Sequence, residues 1–94
     1  MYNLIITEKA ESHIVAAATY YEEQLPGLSE RFIAELKVAY LKIGANPQHY
    51  SYIFKNQKYR DVKLSKFPYV VIFEIDNKDV IVLAVLNTHQ ETKF

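Results

Sequence analysis

The chain has no cysteine, and only two glycines and three prolines among its 94 residues. Without cysteine it forms no disulfide and offers no thiolate to a metal, a composition that fits a reducing compartment. With glycine only at positions 27 and 44, a glycine-rich loop able to cradle a phosphate is excluded. No apolar run approaches the roughly 20 residues that cross a bilayer. The opening Met1-Tyr2-Asn3-Leu4-Ile5-Ile6-Thr7 has neither the basic flank nor the apolar length of a signal peptide. These absences give the expectation of a soluble, cytoplasmic protein with no membrane partner.

Other chemistry is missing too. His13, His49 and His89 lie far apart with no ligand spacing, so neither a metal nor another cofactor is expected. None of Ser12, Ser29, Ser51 and Ser65 sits in a sharp nucleophile turn. Adjacent Glu22 and Glu23 would point about 100° apart on a helix, which reads as a solvated face rather than a carboxylate pair.

Half of the residues are hydrophobic, enough for one compact domain over residues 1–94 and too few residues for two cores. Net charge is zero, but unevenly placed. Residues 1–36 carry six acids against Lys9 and Arg31, a balance of −4. Residues 37–66 carry Lys37, Lys42, Lys55, Lys58, Arg60, Lys63 and Lys66 against Asp61, a balance of +6, and the remainder sums to −2. A basic middle suits an acidic partner, either nucleic acid or an acidic protein segment. It also suits a solvated strand whose lysines guard a sheet edge.

Periodicity orders the elements. Tyr2 to Ile6 reads as a strand, and Thr7 caps a helix with Glu8 and Glu11 in its first turn. Ala10, Ile14, Ala17, Ala18, Tyr21 and Leu25 form one apolar face until Pro26-Gly27 breaks the helix. A second helix carries Phe32, Leu36, Tyr40 and Ile43 on one stripe, with Gly44 as its expected stop before Asn46-Pro47. After Pro47 the period becomes two. Strands are expected at Tyr59–Leu64, with Arg60, Val62 and Leu64 on one face, and at Tyr69–Asp76 and Val80–Asn87, joined by the turn Asp76-Asn77-Lys78-Asp79. The last strand is apolar on both faces and is expected at the centre of the sheet. The fold class is α+β, an antiparallel β-sheet with an N-terminal helical hairpin packed on one face, in the order β-α-α-β-β-β.

The most suggestive stretch interleaves aromatics with bases: Tyr50, Tyr52, Lys55, Lys58, Tyr59, Arg60, Lys63, Lys66 and Tyr69. Positive side chains screen phosphates while rings stack on bases, which suits single-stranded RNA. Tyrosines in small sheets also serve as cross-strand packing, so both readings stay open.

As a whole the sequence resembles the RelE/ParE toxin superfamily of type II toxin–antitoxin systems over nearly its full length. The landmarks are Tyr20-Tyr21-Glu22, Leu25-Pro26-Gly27-Leu28-Ser29-Glu30-Arg31-Phe32, Asn46-Pro47, Tyr59-Arg60, Lys66-Phe67-Pro68-Tyr69 and the apolar strand Val80 to Leu86. The resemblance implies a plasmid-stabilisation type toxin held inactive by a cognate antitoxin, whose C-terminal segment would fold as it wraps the toxin.

Two activities exist in the superfamily. RelE-type members cut messenger RNA on the ribosome without a metal, using a basic cluster and a C-terminal tyrosine. Here Lys63 matches one family lysine, but Asp61 stands where a second would be and Val70 where an arginine would be. His89 falls near the position of the C-terminal arginine, and the chain ends before the tyrosine. ParE-type members poison DNA gyrase, and Pro26-Gly27 and Phe67-Pro68-Tyr69 look closer to that branch. Relatives that end with a histidine, an arginine and a proline differ from Asn87-Thr88-His89-Gln90-Glu91 here. The resemblance thus implies a binding inhibitor of DNA gyrase rather than an enzyme, with Arg60, Lys63, Lys66, His89 and Gln90 as target contacts. The alternatives are a metal-independent endoribonuclease acting on ribosome-bound mRNA, with Lys55, Lys58, Lys63 and His89 around its site and Lys63 and His89 as catalytic candidates, and a non-toxic antitoxin-binding module.

Overall fold

A computed structural model describes residues 1–55 and 57–89. Strand β1 (Asn3–Ile6) leads directly into helix α1 (Glu8–Gln24), and α2 (Leu28–Ala45) folds back as a hairpin. A single 3-10 turn, Pro47–His49, follows, and then β2 (Tyr59–Lys63), β3 (Tyr69–Asp76) and β4 (Asp79–Asn87). The strand order is β1-β4-β3-β2, with the doubly apolar β4 inside the sheet. The sheet is mixed rather than wholly antiparallel: β2, β3 and β4 pair antiparallel, but β1 pairs β4 parallel, from Asn3 opposite Asp79 to Ile6 opposite Val82. Periodicity reports which residues share a face and carries no information on strand direction. No helix is long and apolar enough to cross a membrane among the described residues.

The hairpin closes because each helix end is bonded. Thr7 is extended, and its hydroxyl oxygen accepts the Ala10 N–H at 3.1 Å while Glu8 and Glu11 fill the first turn. At the break, Gly27 takes φ +89°, a conformation that favours glycine. The Glu22 carboxylate then accepts from the Gly27 N–H at 3.1 Å and from the Ser29 hydroxyl at 2.6 Å, and so caps α2 from the preceding helix. Those bonds, the Ser29 hydroxyl foremost and the Gly27 N–H next, hold the carboxyl below its usual range. Glu22 is therefore a capping residue and not merely part of a solvated face. Leu25, expected on the apolar face, is the exposed C-cap of α1.

Gly44 does not stop α2. The helix runs on to Ala45, and Asn46 caps it through its N–H on the Lys42 carbonyl. Pro47 disfavours helical backbone at Asn46 and sets the boundary. Between β3 and β4, Asn77 takes φ 56°, which asparagine tolerates in a tight hairpin.

One core holds the layers together. Ala10 and Ala17 of α1 and Phe32, Leu36, Ala39 and Ile43 of α2 pack on Val62, Leu64, Val71, Phe73, Val80, Val82 and Val85. On the other face of the sheet Val70, Ile72 and Ala84 are buried with Ile53, Tyr59 and Leu86 against them. A register shift falls between Ile72, opposite Ala84, and Phe73, opposite Val82, so Leu83 is an extra residue in β4. There β1 ends and α1 takes over the exposed edge of β4. The Thr7 N–H donates to the Val82 carbonyl at 3.1 Å, its hydroxyl to the Leu83 carbonyl at 3.4 Å, and the Val85 N–H to His13 Nδ1 at 3.2 Å.

That last bond requires a neutral histidine. Burial chiefly, and the Lys9 charge second, hold the His13 pKa below its ordinary 6.5. A histidine kept neutral by folding contributes its stability in full above about pH 6.5 and loses it as pH falls through the lowered folded-state value. The thermal midpoint is expected to drop as pH falls below about 6.5, the ordinary histidine value. His13→Gln, which keeps an acceptor but does not titrate, is expected to flatten that drop; an unchanged pH profile would exclude His13 as its source.

Candidate interaction site

The sequence candidates do not form one cluster. Arg60, on β2, is committed to the chain that precedes it. Its Nη1 donates to the Tyr50 carbonyl at 2.6 Å and the Gln48 carbonyl at 3.3 Å, and its Nη2 to the Tyr52 hydroxyl at 2.8 Å. Its guanidinium carbon also lies 4.0 Å from the centre of the Tyr52 ring. With the Tyr52–Arg60 bridge and the Ile53 N–H on the Tyr59 carbonyl at 2.9 Å, these contacts fold residues 48–53 over the β2 edge. Arg60 thus holds the loop of residues 48–53.

Lys63 ends β2 opposite Val70 and is exposed. Asp61, two residues earlier, is half-buried; burial raises its carboxyl pKa, with the Lys63 charge working the other way. A carboxylate here opposes engagement of a phosphate at this strand. His89 is exposed beyond β4, its N–H held by Asn87 Oδ1 at 2.8 Å, and Gln90 lies outside the described residues. Lys55 is exposed in the loop before β2. Lys58 stands 3.7 Å from Glu74 and over the Tyr59 ring.

Lys66 and Lys63 meet instead at a groove that periodicity did not reveal. One hollow of about 390 Å³ lies between α2 and the end of β2, lined by Ala34, Glu35, Val38, Lys42, Leu64 and Lys66 among others, with Lys63 on its wall. A second, of about 650 Å³, continues past Glu35 and Lys66 to Tyr21, Leu28, Arg31 and Phe67. The floor is apolar, and the inner wall is the ring cluster in which Tyr21 and Phe67 stand 4.9 Å apart and Phe32 and Phe67 5.4 Å apart. Four cations, Arg31, Lys42, Lys63 and Lys66, stand along it against one acid, Glu35.

That acid is already engaged. Glu35 accepts from the Ser65 N–H at 3.0 Å, the Ser65 hydroxyl at 3.1 Å and the Lys66 N–H at 3.1 Å, which fastens the β2–β3 turn to α2. Partial burial, the largest influence, raises its pKa; the Lys66 N–H, the Ser65 donors and the Lys66 charge outweigh it and carry the carboxyl below its usual range. The groove therefore presents net positive charge over an apolar floor. Val38, half exposed and off the core stripe of α2, lines this groove. Among the described residues no three His, Cys, Asp or Glu side chains gather as a metal site.

The family model for the ParE toxin of the type II toxin–antitoxin system parDE matches residues 4–92. The chain belongs to the ParE toxin family. The fold agrees: a chain of the chromosomal ParDE toxin–antitoxin system of P. aeruginosa superimposes with a TM-score of 0.76 at 19% identity, over 93% of this chain and 96% of that one. None of the curated protein sequences is similar enough to count as a relative. This ParE family member is thus a type II toxin with an antitoxin for a partner.

Holding the loop makes Arg60 measurable apart from any target. Arg60→Lys keeps the charge and loses the planar fork, and is expected to lower stability by about 1–3 kcal/mol and to speed amide exchange at Ile53. Unaltered exchange at Ile53 would contradict this role for Arg60.

Proposed function

We propose that this ParE family toxin acts by binding and inhibiting DNA gyrase, and that its antitoxin silences it with an acidic amphipathic segment laid along the α2–β2 groove. The observation that carries the antitoxin half is the groove itself: four cations along an apolar floor, with their one acidic neighbour bonded inward. An amphipathic helix buries its apolar face in such a groove, and acidic residues on its flanks meet the cations. A segment that folds as it binds follows the long hollow with little cost in specificity.

Membership of the ParE family supports the gyrase half. The basic residues also favour inhibition by binding over RNA cleavage. Lys63 has a half-buried acid two residues away on its strand, Arg60 is bonded to loop carbonyls, and Lys66 lies beside Glu35. The endoribonuclease alternative requires these cations around one scissile phosphate.

Purified chain added to gyrase is expected to abolish supercoiling and to leave transcripts in expressing cells uncut. Intact supercoiling together with transcripts cut at codon boundaries would replace gyrase with the ribosome and mRNA as the target. For the antitoxin, Lys63→Glu with Lys66→Glu is expected to weaken binding by about tenfold or more, mainly through slower association. Equal affinity for the charge-reversed chain would remove the groove from the account.

A further inference from the structure

Strand β1 is a sheet edge, bonded to the end of α2 at Tyr2, whose N–H donates to the Gly44 carbonyl at 3.0 Å. In its parallel ladder the N–H groups of Asn3 and Thr7 donate to the Lys78 and Val82 carbonyls of the β4 side. Backbone groups alternate in direction along a strand, so the N–H and C=O of Leu4 and Ile6 point away from the sheet. No strand lies on that outer side, since β1 pairs only with β4 in the sheet. Sheet edges are guarded by shortness, charge, proline, a bulge or a covering segment, and of these the four-residue β1 has only its shortness. The opposite edge, β2, follows that rule, with Asp61 and Lys63 in the strand and residues 48–53 folded over it. Asn3-Leu4-Ile5-Ile6 carries no charge, proline or bulge.

An apolar hollow of about 390 Å³ lies beside this edge, lined by Met1, Tyr2, Leu4, Lys37, Tyr40, Leu41 and Gly44. Its walls are open: Met1 is 96% exposed, Leu41 67% and Leu4 37%, while Ile5, on the other face of the strand, is 44% exposed. We propose that β1 is the interface for a second copy of this chain, the two strands pairing antiparallel about a two-fold axis through Ile5. This inference is independent of the gyrase reading and of the antitoxin groove.

The second copy is favoured over a foreign strand because the segment is complementary to itself. With Ile5 opposite Ile5 of the second copy, Leu4 falls opposite Ile6 and Asn3 opposite Thr7, so apolar meets apolar, polar meets polar, and no like charges oppose. The outward backbone groups of Leu4 and Ile6 become hydrogen-bonded pairs, and Ile5 meets Ile5 at a close, non-hydrogen-bonded position. A two-fold perpendicular to the sheet keeps both hairpins on one side, where Leu4 of each copy lies diagonal to its counterpart and Leu41, lining the same hollow, faces the second copy. Such an interface is isologous and closes at two copies.

Because the chain lacks cysteine, one introduced thiol reports the geometry. Ile5→Cys is expected to form a disulfide-linked dimer under mild oxidant at least about tenfold faster than Thr19→Cys, an exposed control on α1, because pairing raises the effective thiol concentration. In sedimentation the wild-type chain is expected to move from 11.0 kDa to twice that mass with rising concentration. Leu41→Glu, at an exposed helix position, is expected to stay monomeric while keeping the wild-type circular dichroism spectrum. A wild-type chain that remains monomeric at several hundred micromolar would overturn the proposal. So would a dimer in which Ile5→Cys crosslinks no faster than the control, which would place the contact on another face.

Discussion

Strand β4 is nine residues long and lies inside the sheet, yet its neighbour on one side, β1, is only four residues long. The rest of that edge has to be satisfied by something other than a strand, because buried backbone groups left unpaired cost about 1–3 kcal/mol each. Helix α1 does this. The extra residue Leu83 shifts the β4 register where β1 stops, and Thr7 and His13 then meet the Leu83 carbonyl and the Val85 N–H. Thr7 both caps the helix and bonds to the strand, so the start of α1 and its seat on the sheet are fixed by the same residue. Small residues, Ala10 and Ala17, let the helix lie close enough for these bonds to form.

The position of α2 follows from that of α1. Glu22 spans the Pro26-Gly27 break to cap the second helix, which then crosses the sheet from the β2–β3 turn to the foot of β1. At its far end the Gly44 carbonyl accepts the Tyr2 N–H at 3.0 Å. Along the way Glu35 ties the helix to Ser65 and Lys66. Those anchors leave hollows on either side of α2, one with four cations toward β2 and one lined mainly by apolar side chains, with Lys37 at its wall, toward β1. One helix thus separates two surfaces of unlike chemistry, suited to an acidic partner and to a second copy of the chain.

Much of this was legible in the sequence where local patterns govern. The Thr7 cap, the Pro26-Gly27 break, the Asn77 turn and the doubly apolar β4 each rest on neighbours in the chain, and each stands as read. What escaped notice depends on residues distant in sequence. Parallel pairing of β1 leaves no trace in its alternation. His13 lies 72 residues from Val85, and Glu35 lies 30 from Ser65. Arg60 shows the same limit at shorter range: its place in a basic segment gave no sign of the bonds it makes to carbonyls 10 and 12 residues earlier. Charge counted along the chain found the basic middle, but Arg31, outside it, and Lys42 complete the groove only through folding.

The most direct test of the central claim, that this chain is a ParE family toxin controlled by an antitoxin, is a viable count after the chain is induced alone in a bacterial host and again with its neighbouring gene. The account predicts a fall in viable cells with the chain alone, reversed when the neighbour is co-expressed. Undiminished viability in cells shown to accumulate folded, soluble chain would contradict it, and would leave a module that binds an antitoxin without poisoning the cell.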